Sequence, residues 1–184
     1  MTTGHEFALF DTPIGQCAIA WGARGIVAIR LPESSGRATR AHLLRRLPDA
    51  RETPTPPEVQ RACDGIVALL RGEPIDLCGI ALDMHGVPAF DRRVYEVART
   101  IPPGATLSYG EIASRLGEPP EAARDVGQAL ARNPFAIIVP CHRVVAAGGK
   151  LGGFSARGGV STKRRLLRIE GAEPTGTLPL FDRP

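Results

Sequence analysis

The sequence predicts a small α/β N-terminal domain, built from an antiparallel sheet plus helices, followed by a mainly α, winged-helix-like C-terminal domain with a helix-turn-helix. Alternating apolar runs fill the first 32 residues, helical periodicity begins near Pro88, and two short helical patterns then meet at a glycine-containing turn. The 184 residues are 43% apolar, with a mean hydropathy of −0.05, which suits two small domains that share an interface. We predict domain boundaries at 1–86 and 87–172, with a tail over 173–184.

The N-terminal half begins with three runs that alternate or are continuously apolar, and turn residues separate them. A three-stranded antiparallel sheet is therefore expected at the start of the chain. Leucines on one helical face and a Pro-rich linker over 48–57 predict two helices, and a further apolar run indicates another strand. The predicted elements are strands at Phe7–Phe10, Cys17–Trp21, Ile26–Leu31 and near Ile80–Met84, and helices at Gly36–Leu47 and Glu58–Arg71.

The C-terminal half opens with a helix whose apolar positions, Phe90 to Ile101, recur at i, i+4, i+7 and i+11. Ser108 is a candidate N-cap for a short helix over Tyr109–Leu116, and a second helix is expected at Glu121–Arg132. This pair fits either a helix-turn-helix or a structural αα-hairpin. The basic stretch that begins at the second helix favours the DNA-binding interpretation.

After the second helix, the apolar run Phe135–Val139 predicts a buried strand that leads directly to Cys141. A glycine-rich loop over 148–159 follows, and a last helix is expected at Ser161–Ile169. In that helix we expect two leucines to face inward and four basic residues to face mostly outward, namely Leu166 and Leu167 against Lys163, Arg164, Arg165 and Arg168.

Positive charge is concentrated in the C-terminal half. Residues 1–100 carry 12 basic and 12 acidic side chains, whereas residues 101–184 carry 11 and 7 and so account for the whole net charge of +4. Between Arg124 and Arg168 nine basic residues face one acidic residue. A solvated surface is the usual explanation of such a run, but here it includes apolar and glycine-rich segments, which favours a polyanionic partner.

The remaining composition argues against several classes of protein. The longest apolar runs are far shorter than the roughly 20 residues that a membrane-spanning helix needs, and the N-terminus lacks the pattern of a signal peptide. We therefore expect no membrane partner and a cytoplasmic protein. The cysteines form no CxxC pair, which argues against a disulfide scaffold. No zinc is expected from the spacing of the available ligand types, which are Cys17, Cys63, Cys78, His5, His42 and His85.

Cys141 is the strongest candidate for chemistry, because it follows a buried run and precedes His142 and Arg143. A thiolate is the nucleophilic form of cysteine, and neighbouring cations favour it. On an extended chain His142 would point away from Cys141, so we expect a water to connect the two, with the imidazole as general base. Glu170 is a carboxylate of the type that could orient the imidazole. From the residues alone, a structural Cys–His pair is an equally open interpretation.

The segment Pro140-Cys141-His142-Arg143-Val144-Val145, preceded by Asn133-Pro134 and aliphatic residues, resembles the active-site motif of the O6-alkylguanine-DNA alkyltransferases. This family is also called the methylated-DNA–protein-cysteine methyltransferases. The likeness runs in register from about Ala89 to Gly171, and the early turn over 12–15 is similar to one in the family's more variable N-terminal domain.

The resemblance implies a single, stoichiometric transfer of an alkyl group from the O6 atom of guanine in duplex DNA to Cys141. It assigns His142 and Glu170 to the relay that activates the thiol through water. It also assigns Tyr109 to the target phosphate and to proton donation towards the departing guanine. No cofactor is needed, and the protein is expected to act as a monomer.

The resemblance also implies a set of DNA-binding residues. Arg124 would fill the gap left by the flipped base, and Ser155 would contact that base. Asn133 would brace the turn before the active site, and Ser108 and Arg143 complete the predicted DNA-binding set. The family enters the minor groove, and a nucleotide must leave the stack before sulfur can reach its alkyl group.

The sequence departs from the family pattern in four places: Phe154 stands where tyrosine is usual, Ala156-Arg157 is an apparent insertion, Asp125 replaces a small residue and Pro103 replaces a frequent tyrosine.

Two rival functions also agree with part of the sequence. A lesion sensor or helix-turn-helix regulator would bind DNA without transfer, and a thiol hydrolase or redox enzyme would turn over repeatedly. The presence of Cys141 argues against the sensor, and the helix-turn-helix argues against the hydrolase.

Overall fold

The computed structural model describes residues 4–172, so the predicted tail over 173–184 lies outside the described residues. The fold class agrees with the expectation: a small sheet and two helices come first, and a mainly helical half follows. The strands are β1 (Glu6–Thr12), β2 (Gly15–Gly22), β3 (Gly25–Arg30), β4 (Arg51–Glu52), β5 (Leu107–Ser108) and β6 (Val144–Val145). The helices are α1 (Gly36–Arg46), α2 (Pro57–Leu70), α3 (Ala89–Arg99), α4 (Tyr109–Arg115), α5 (Ala123–Ala131) and α6 (Val160–Ile169).

The N-terminal sheet has the order β3-β2-β1-β4, with β4 parallel to β1 and the other pairs antiparallel. Its first hairpin is tight: Thr12 pairs with Gly15, whose φ of 126° lies in a region open to glycine but strained for other residues. Alternate side chains then face opposite sides of the sheet. Phe7 and Ala20 pack against α1, whereas Ile19 belongs to the larger core that also holds α2.

The sheet is joined to the active-site half through the end of β3. The amide of Ile29 donates to the carbonyl of Pro134 at 2.8 Å, and Ile29 forms a parallel bridge with Phe135. One continuous apolar core contains residues of both halves, including Ile29 and Tyr95. This packing places the N-terminal sheet beside the segment that leads to Cys141.

Three details differ from the expectations. Phe135–Val139 is buried but is a turn rather than a strand, because Ile137 adopts a φ of 71° and reverses the chain. The predicted strand near Ile80–Met84 is reduced to a bridge between Ile26 and Leu82. Cys141–Arg143 forms one turn of 3-10 helix instead of extended chain. None of the helices within residues 4–172 has the length and apolar character needed to cross a membrane.

Candidate active site

The turn before Cys141 is held together by Asn133. Its Nδ2 donates to the carbonyl of Val139 and its Oδ1 accepts from the amide of Phe135, both at 2.9 Å. These bonds close the turn around Ile137, whose backbone is left-handed. The amide side chain thus satisfies two backbone groups that a strand would otherwise pair. The bracing role of Asn133 fits this geometry, whereas its inclusion among DNA-binding residues needs correction because both ends of its amide face the protein.

Cys141 lies partly exposed at a cavity of about 500 Å³ between α5 and the loop that precedes α6. Burial raises the pKa of its thiol, and a hydrogen bond from Asn133 and the charge of Lys163 act against that rise. The resting side chain is therefore a thiol, and a base is needed to produce the nucleophilic thiolate.

The two residues after Cys141, His142 and Arg143, form a buried network with Glu170. The Nε2 atom of His142 is 2.8 Å from Oε1 of Glu170, and both side chains are at most 3% exposed. Arg143 donates to the same carboxylate from Nε at 2.9 Å and from Nη2 at 2.8 Å, and its Nη1 donates to the carbonyl of Ile101. Burial alone would raise the pKa of Glu170, but the bonds from His142 and Arg143 outweigh it and lower that pKa to about 2.

The network fixes the tautomer of His142. An ionised carboxylate can only accept hydrogen bonds, so Nε2 of His142 carries the proton and Nδ1 carries the free lone pair. Burial lowers the pKa of His142, which keeps the ring neutral at physiological pH although Glu170 favours the charged form. Within residues 4–172, Nδ1 is buried and has no hydrogen-bond partner. The imidazole thus presents a basic nitrogen one residue away from the thiol.

The predicted contact of Arg143 with DNA is incompatible with its position. The side chain is 7% exposed, and all three of its nitrogens bond to Glu170 or to the carbonyl of Ile101. Arg143 instead holds the carboxylate that orients His142. Arg143 is part of the motif on which the family resemblance rests, but nothing in the sequence indicates the direction of its side chain.

Tyr109, the first residue of α4, lines the same cavity as Cys141. Ser108 caps this helix: its Oγ accepts from the amide of Glu111 at 3.1 Å, and the Glu111 carboxylate accepts from the Ser108 amide. Burial raises the pKa of Tyr109, so the phenol keeps its proton at neutral pH. The Ser108 hydroxyl uses only its acceptor in the cap and can still donate to a ligand.

Lys163 lies on the buried side of α6, which contradicts the expectation that it faces mostly outward. It is 0% exposed, and its ammonium group donates to Tyr109 Oη and to the carbonyls of Val144 and Gly153. Burial lowers the pKa of Lys163 to about 8. Helical spacing does predict this inward position, because Lys163 lies at i relative to Leu166, Leu167 and Glu170 at i+3, i+4 and i+7, on one helical face.

Arg124 and Ser155 both line the same cavity. Arg124 is exposed in the first turn of α5, and Ser155 is exposed in the loop before α6. Gly152 allows that loop to pass close to Tyr109, since a Cβ at this position would meet the phenol oxygen at 3.0 Å. Two of the predicted catalytic residues, Cys141 and Tyr109, and two of the predicted DNA-binding residues thus line one opening, whereas His142 and Glu170 are buried. No group of three His, Cys, Asp or Glu side chains between residues 4 and 172 is placed to hold a metal ion.

The chain is similar to known proteins over nearly its whole length. Residues 89–172 match the family model for the DNA-binding domain of 6-O-methylguanine DNA methyltransferase. A methylated-DNA–protein-cysteine methyltransferase from Mycobacterium tuberculosis is 39% identical over 177 residues, which cover 96% of this chain and 99% of that protein. A protein of the same name from Methanothermobacter thermautotrophicus is 35% identical, over 89% of this chain and 84% of its own.

A solved structure gives the same result. Mycobacterium tuberculosis OGT in complex with DNA superposes with a TM-score of 0.73 at 38% identity, covering 90% of this chain and 92% of that one. The sequence resemblance is therefore confirmed along both halves of the fold, including the N-terminal sheet that the family model does not reach. On this evidence the chain belongs to the family of methylated-DNA–protein-cysteine methyltransferases.

Proposed function

We propose that this protein repairs alkylated duplex DNA by moving the alkyl group from the O6 atom of guanine to Sγ of Cys141, and that each molecule does so once. The observation that carries the proposal is the position of Cys141, which opens on a cavity shared with Tyr109 and is backed by the His142–Glu170 pair. Cys141 would thus have a proton acceptor in the adjacent His142 and share its cavity with a proton donor, Tyr109, as the reaction requires.

Activation of the thiol begins with the lone pair on Nδ1 of His142. A water between Nδ1 and Cys141 would pass the thiol proton to the imidazole, and the anionic Glu170 would stabilise the imidazolium that results. Arg143 keeps Glu170 ionised and fixed, so the relay is ready before substrate arrives. The thiolate exists only briefly, since burial disfavours it.

In the transfer step, Sγ attacks the alkyl carbon, an S–C bond forms and the C–O6 bond breaks. The electron pair of that bond stays on guanine, which takes a proton from the Tyr109 hydroxyl. Lys163, which donates to Tyr109 Oη, would stabilise the phenolate that is left. The thioether product has no simple reverse reaction, so the protein is consumed.

Binding of the lesion requires that the damaged nucleotide leave the duplex. The cavity of about 500 Å³ is large enough for one base, which Ser155 and the backbone beside it would contact. Arg124, exposed at the rim, would enter the gap in the stack from the minor groove. Ser108 and Tyr109, at the start of α4, would meet the phosphate of the flipped nucleotide.

Further parts of the proposal concern the whole protein. We infer a monomer in the cytoplasm with domains at 1–86 and 87–172 and a tail at 173–184. Binding should depend on phosphate contacts from the basic C-terminal half, where nine basic residues face one acidic residue between Arg124 and Arg168. Affinity for duplex DNA should therefore fall as salt rises.

An intact-mass measurement tests the transfer. The protein is mixed with a duplex that contains one O6-methylguanine, and its mass should rise by one methylene, with the peptide map placing the addition on Cys141. The Cys141→Ala variant should bind the same duplex and gain no mass. If the wild-type mass stays unchanged while the lesion duplex is bound, the protein is a lesion sensor and the proposal is wrong.

A further inference from the structure

A second, smaller cavity of about 60 Å³ meets Cys141 on the side of the N-terminal sheet. Its lining includes Ala136 of the turn before Cys141, Ser155 of the loop before α6 and Arg30 at the end of β3. Cys141 therefore lies between two spaces: the large one that receives the base, and a small one that the N-terminal half helps to build. Because Cys141 lines the small space, a group that is transferred to this residue can extend into it.

Arg30 reaches this position because of the junction between the two halves. The Ile29 amide is bonded to the Pro134 carbonyl at 2.8 Å, and Ile29 bridges Phe135. The next residue along β3 is therefore held next to Ala136, and both line the small cavity with Cys141.

The guanidinium of Arg30 has a carboxylate-binding edge with no carboxylate on it. Its Nε and Nη2 atoms are buried and find no hydrogen-bond partner within residues 4–172. Arg132 uses the same two atoms to bind Asp91, both at 2.9 Å, and Arg143 uses them to bind Glu170 at 2.9 and 2.8 Å. A buried donor without a partner is costly, so an acceptor of the right shape would be bound strongly.

The charges around Arg30 also favour an anion. Burial lowers the pKa of Arg30 and the charges of Arg46 and Arg45 lower it further, while Glu33 acts in the opposite direction. Glu33 is occupied by His42, whose Nδ1 lies 2.6 Å from its carboxylate. Glu33 and His42 both line the small cavity, so its one carboxylate already has a partner there. The other charged side chain that lines it beside Arg30 is Arg157, a cation in the loop before α6.

We propose that Arg30 is a specificity-determining residue that directs the protein towards O6-carboxyalkylguanines, with O6-carboxymethylguanine as the first member of the class. This inference rests on the proposed transfer to Cys141. The base occupies the large cavity, the reacting carbon faces Sγ, and the carboxylate extends beside the S···C···O line into the small cavity. There it binds the Nε and Nη2 edge of Arg30. Because this edge is out of contact with solvent, Arg30 must turn about its terminal torsions to meet the carboxylate.

The step is the same displacement with a different group. Sγ forms a bond to the CH₂ carbon of O6–CH₂–COO⁻, the C–O6 bond breaks, and guanine keeps the electron pair and takes a proton from Tyr109. The product is S-carboxymethylcysteine, whose carboxylate remains paired with Arg30. The charge on the carboxylate does not change during the reaction.

The test compares single-turnover rate constants on duplexes that contain O6-carboxymethylguanine or O6-methylguanine. The Arg30→Met variant keeps most of the aliphatic length of the side chain and removes its charge. The carboxymethyl rate constant should fall by about tenfold or more, as expected for loss of a charged hydrogen-bonded pair, and the methyl rate constant should change by less than about twofold. Arg30→Lys should recover part of the carboxymethyl rate.

Arg45→Met is the matched control, because Arg45 is an exposed cation that acts on Arg30 but does not line the small cavity. Its ratio of the two rate constants should equal that of the wild type. If Arg45→Met lowers the ratio as much as Arg30→Met does, general electrostatic attraction explains the preference and the proposal fails. An unchanged ratio in Arg30→Met overturns it as well.

A measurement without DNA separates this inference from the proposed function. Alkylation of Cys141 by iodoacetate and by neutral iodoacetamide is followed by peptide mapping in wild type and Arg30→Met. The ratio of the iodoacetate rate to the iodoacetamide rate at Cys141 should be higher in the wild type than in Arg30→Met, because Arg30 attracts the carboxylate of iodoacetate. Equal preferences in both proteins would overturn the role of Arg30 even if methyl transfer is observed. Absence of transfer from either lesion, with the iodoacetate preference intact, would instead reject the proposed function.

Discussion

Nε2 of His142 and Oε1 of Glu170 are 2.8 Å apart, and the two side chains are 1% and 3% exposed. The two residues are 28 positions apart in sequence, and Arg143, the residue next to His142, donates to the same Oε1 atom of Glu170. Buried charges of this kind are costly unless each is paired and hydrogen-bonded. Here the carboxylate accepts three bonds from two residues, which leaves Nδ1 of His142 as the unpartnered atom of the network within residues 4–172.

Glu170→Gln tests whether the ionised carboxylate sets the state of His142. An amide cannot stabilise the imidazolium, and it can accept the Nε2 proton only through its carbonyl oxygen. The rate constant for methyl transfer should fall by at least about tenfold, while binding of the lesion duplex changes little. Single-turnover kinetics and a binding titration measure the two quantities. The exposed Glu121→Gln is the control for removal of one negative charge, and an equal loss of rate in both variants would contradict the role assigned to Glu170.

The same variant changes stability in acid. The unfolded-state pKa of Glu170 is close to 4.5 and the folded-state pKa is about 2, so the carboxylate contributes stability that is complete above pH 4.5. That contribution is lost as pH falls from 4.5 towards 2. Urea unfolding between pH 3 and pH 7 should therefore show a steeper acid loss for the wild type than for Glu170→Gln. Parallel curves for the two proteins would show that Glu170 is not held ionised by its neighbours.

Tyr109→Phe tests the proton donor. The variant removes the hydroxyl and keeps the ring that lines the cavity, so the base should still enter. Transfer should slow by about 100-fold, because the guanine anion then leaves without a positioned acid. Quenched-flow measurement of S-methylcysteine formation gives the rate. Phe154→Tyr, which adds a hydroxyl to another residue lining the cavity, is a useful comparison: recovery of the rate in the double variant would mean that the hydroxyl's exact position is unimportant.

The Asn133 side chain makes two hydrogen bonds that close the turn before Cys141, so its removal should lower the stability of the fold. Asn133→Ala would leave the amide of Phe135 and the carbonyl of Val139 unsatisfied, and we expect the free energy of unfolding to fall by about 2 kcal/mol or more. Asn133→Asp keeps the acceptor for Phe135 and should lose less. The exposed Gln128→Ala, in α5, is the control and should change stability by less than about 0.5 kcal/mol. Chemical denaturation measures all three.

The sequence predicted most of this arrangement because the elements that carry it are periodic and local. Alternation of apolar residues predicts the first three strands, helical spacing predicts the two N-terminal helices, and capping chemistry predicts the role of Ser108. Each of these signals lies within the element that it predicts or a few residues from it. The active-site turn was predicted as a strand because a five-residue apolar run has no signal for a chain reversal, and a left-handed isoleucine is rare. The inward direction of Arg143 depends on Glu170 and Ile101, which lie far away in sequence. The outward prediction for Lys163 is wrong because the acceptors that allow its charge to be buried, such as the carbonyl of Val144, come from other segments of the chain.

Lys163 makes stability depend on pH in a way that a surface lysine would not. Its pKa is about 8 in the folded protein against 10.5 in the unfolded chain, so between these values the unfolded chain binds more protons. The contribution of Lys163 to the free energy of unfolding should therefore rise as pH increases from 8 to 10.5, and below pH 8 the full cost of burying the charge remains. Buried tyrosines and cysteines titrate in the same range with the opposite sign, so the difference between wild type and Lys163→Met is the quantity to measure. That difference should shift in favour of the wild type as pH rises, whereas the exposed Arg168→Met should give a constant difference. A constant difference for Lys163→Met as well would mean that burial does not lower the pKa of Lys163 and that its ammonium group is solvated in the folded protein.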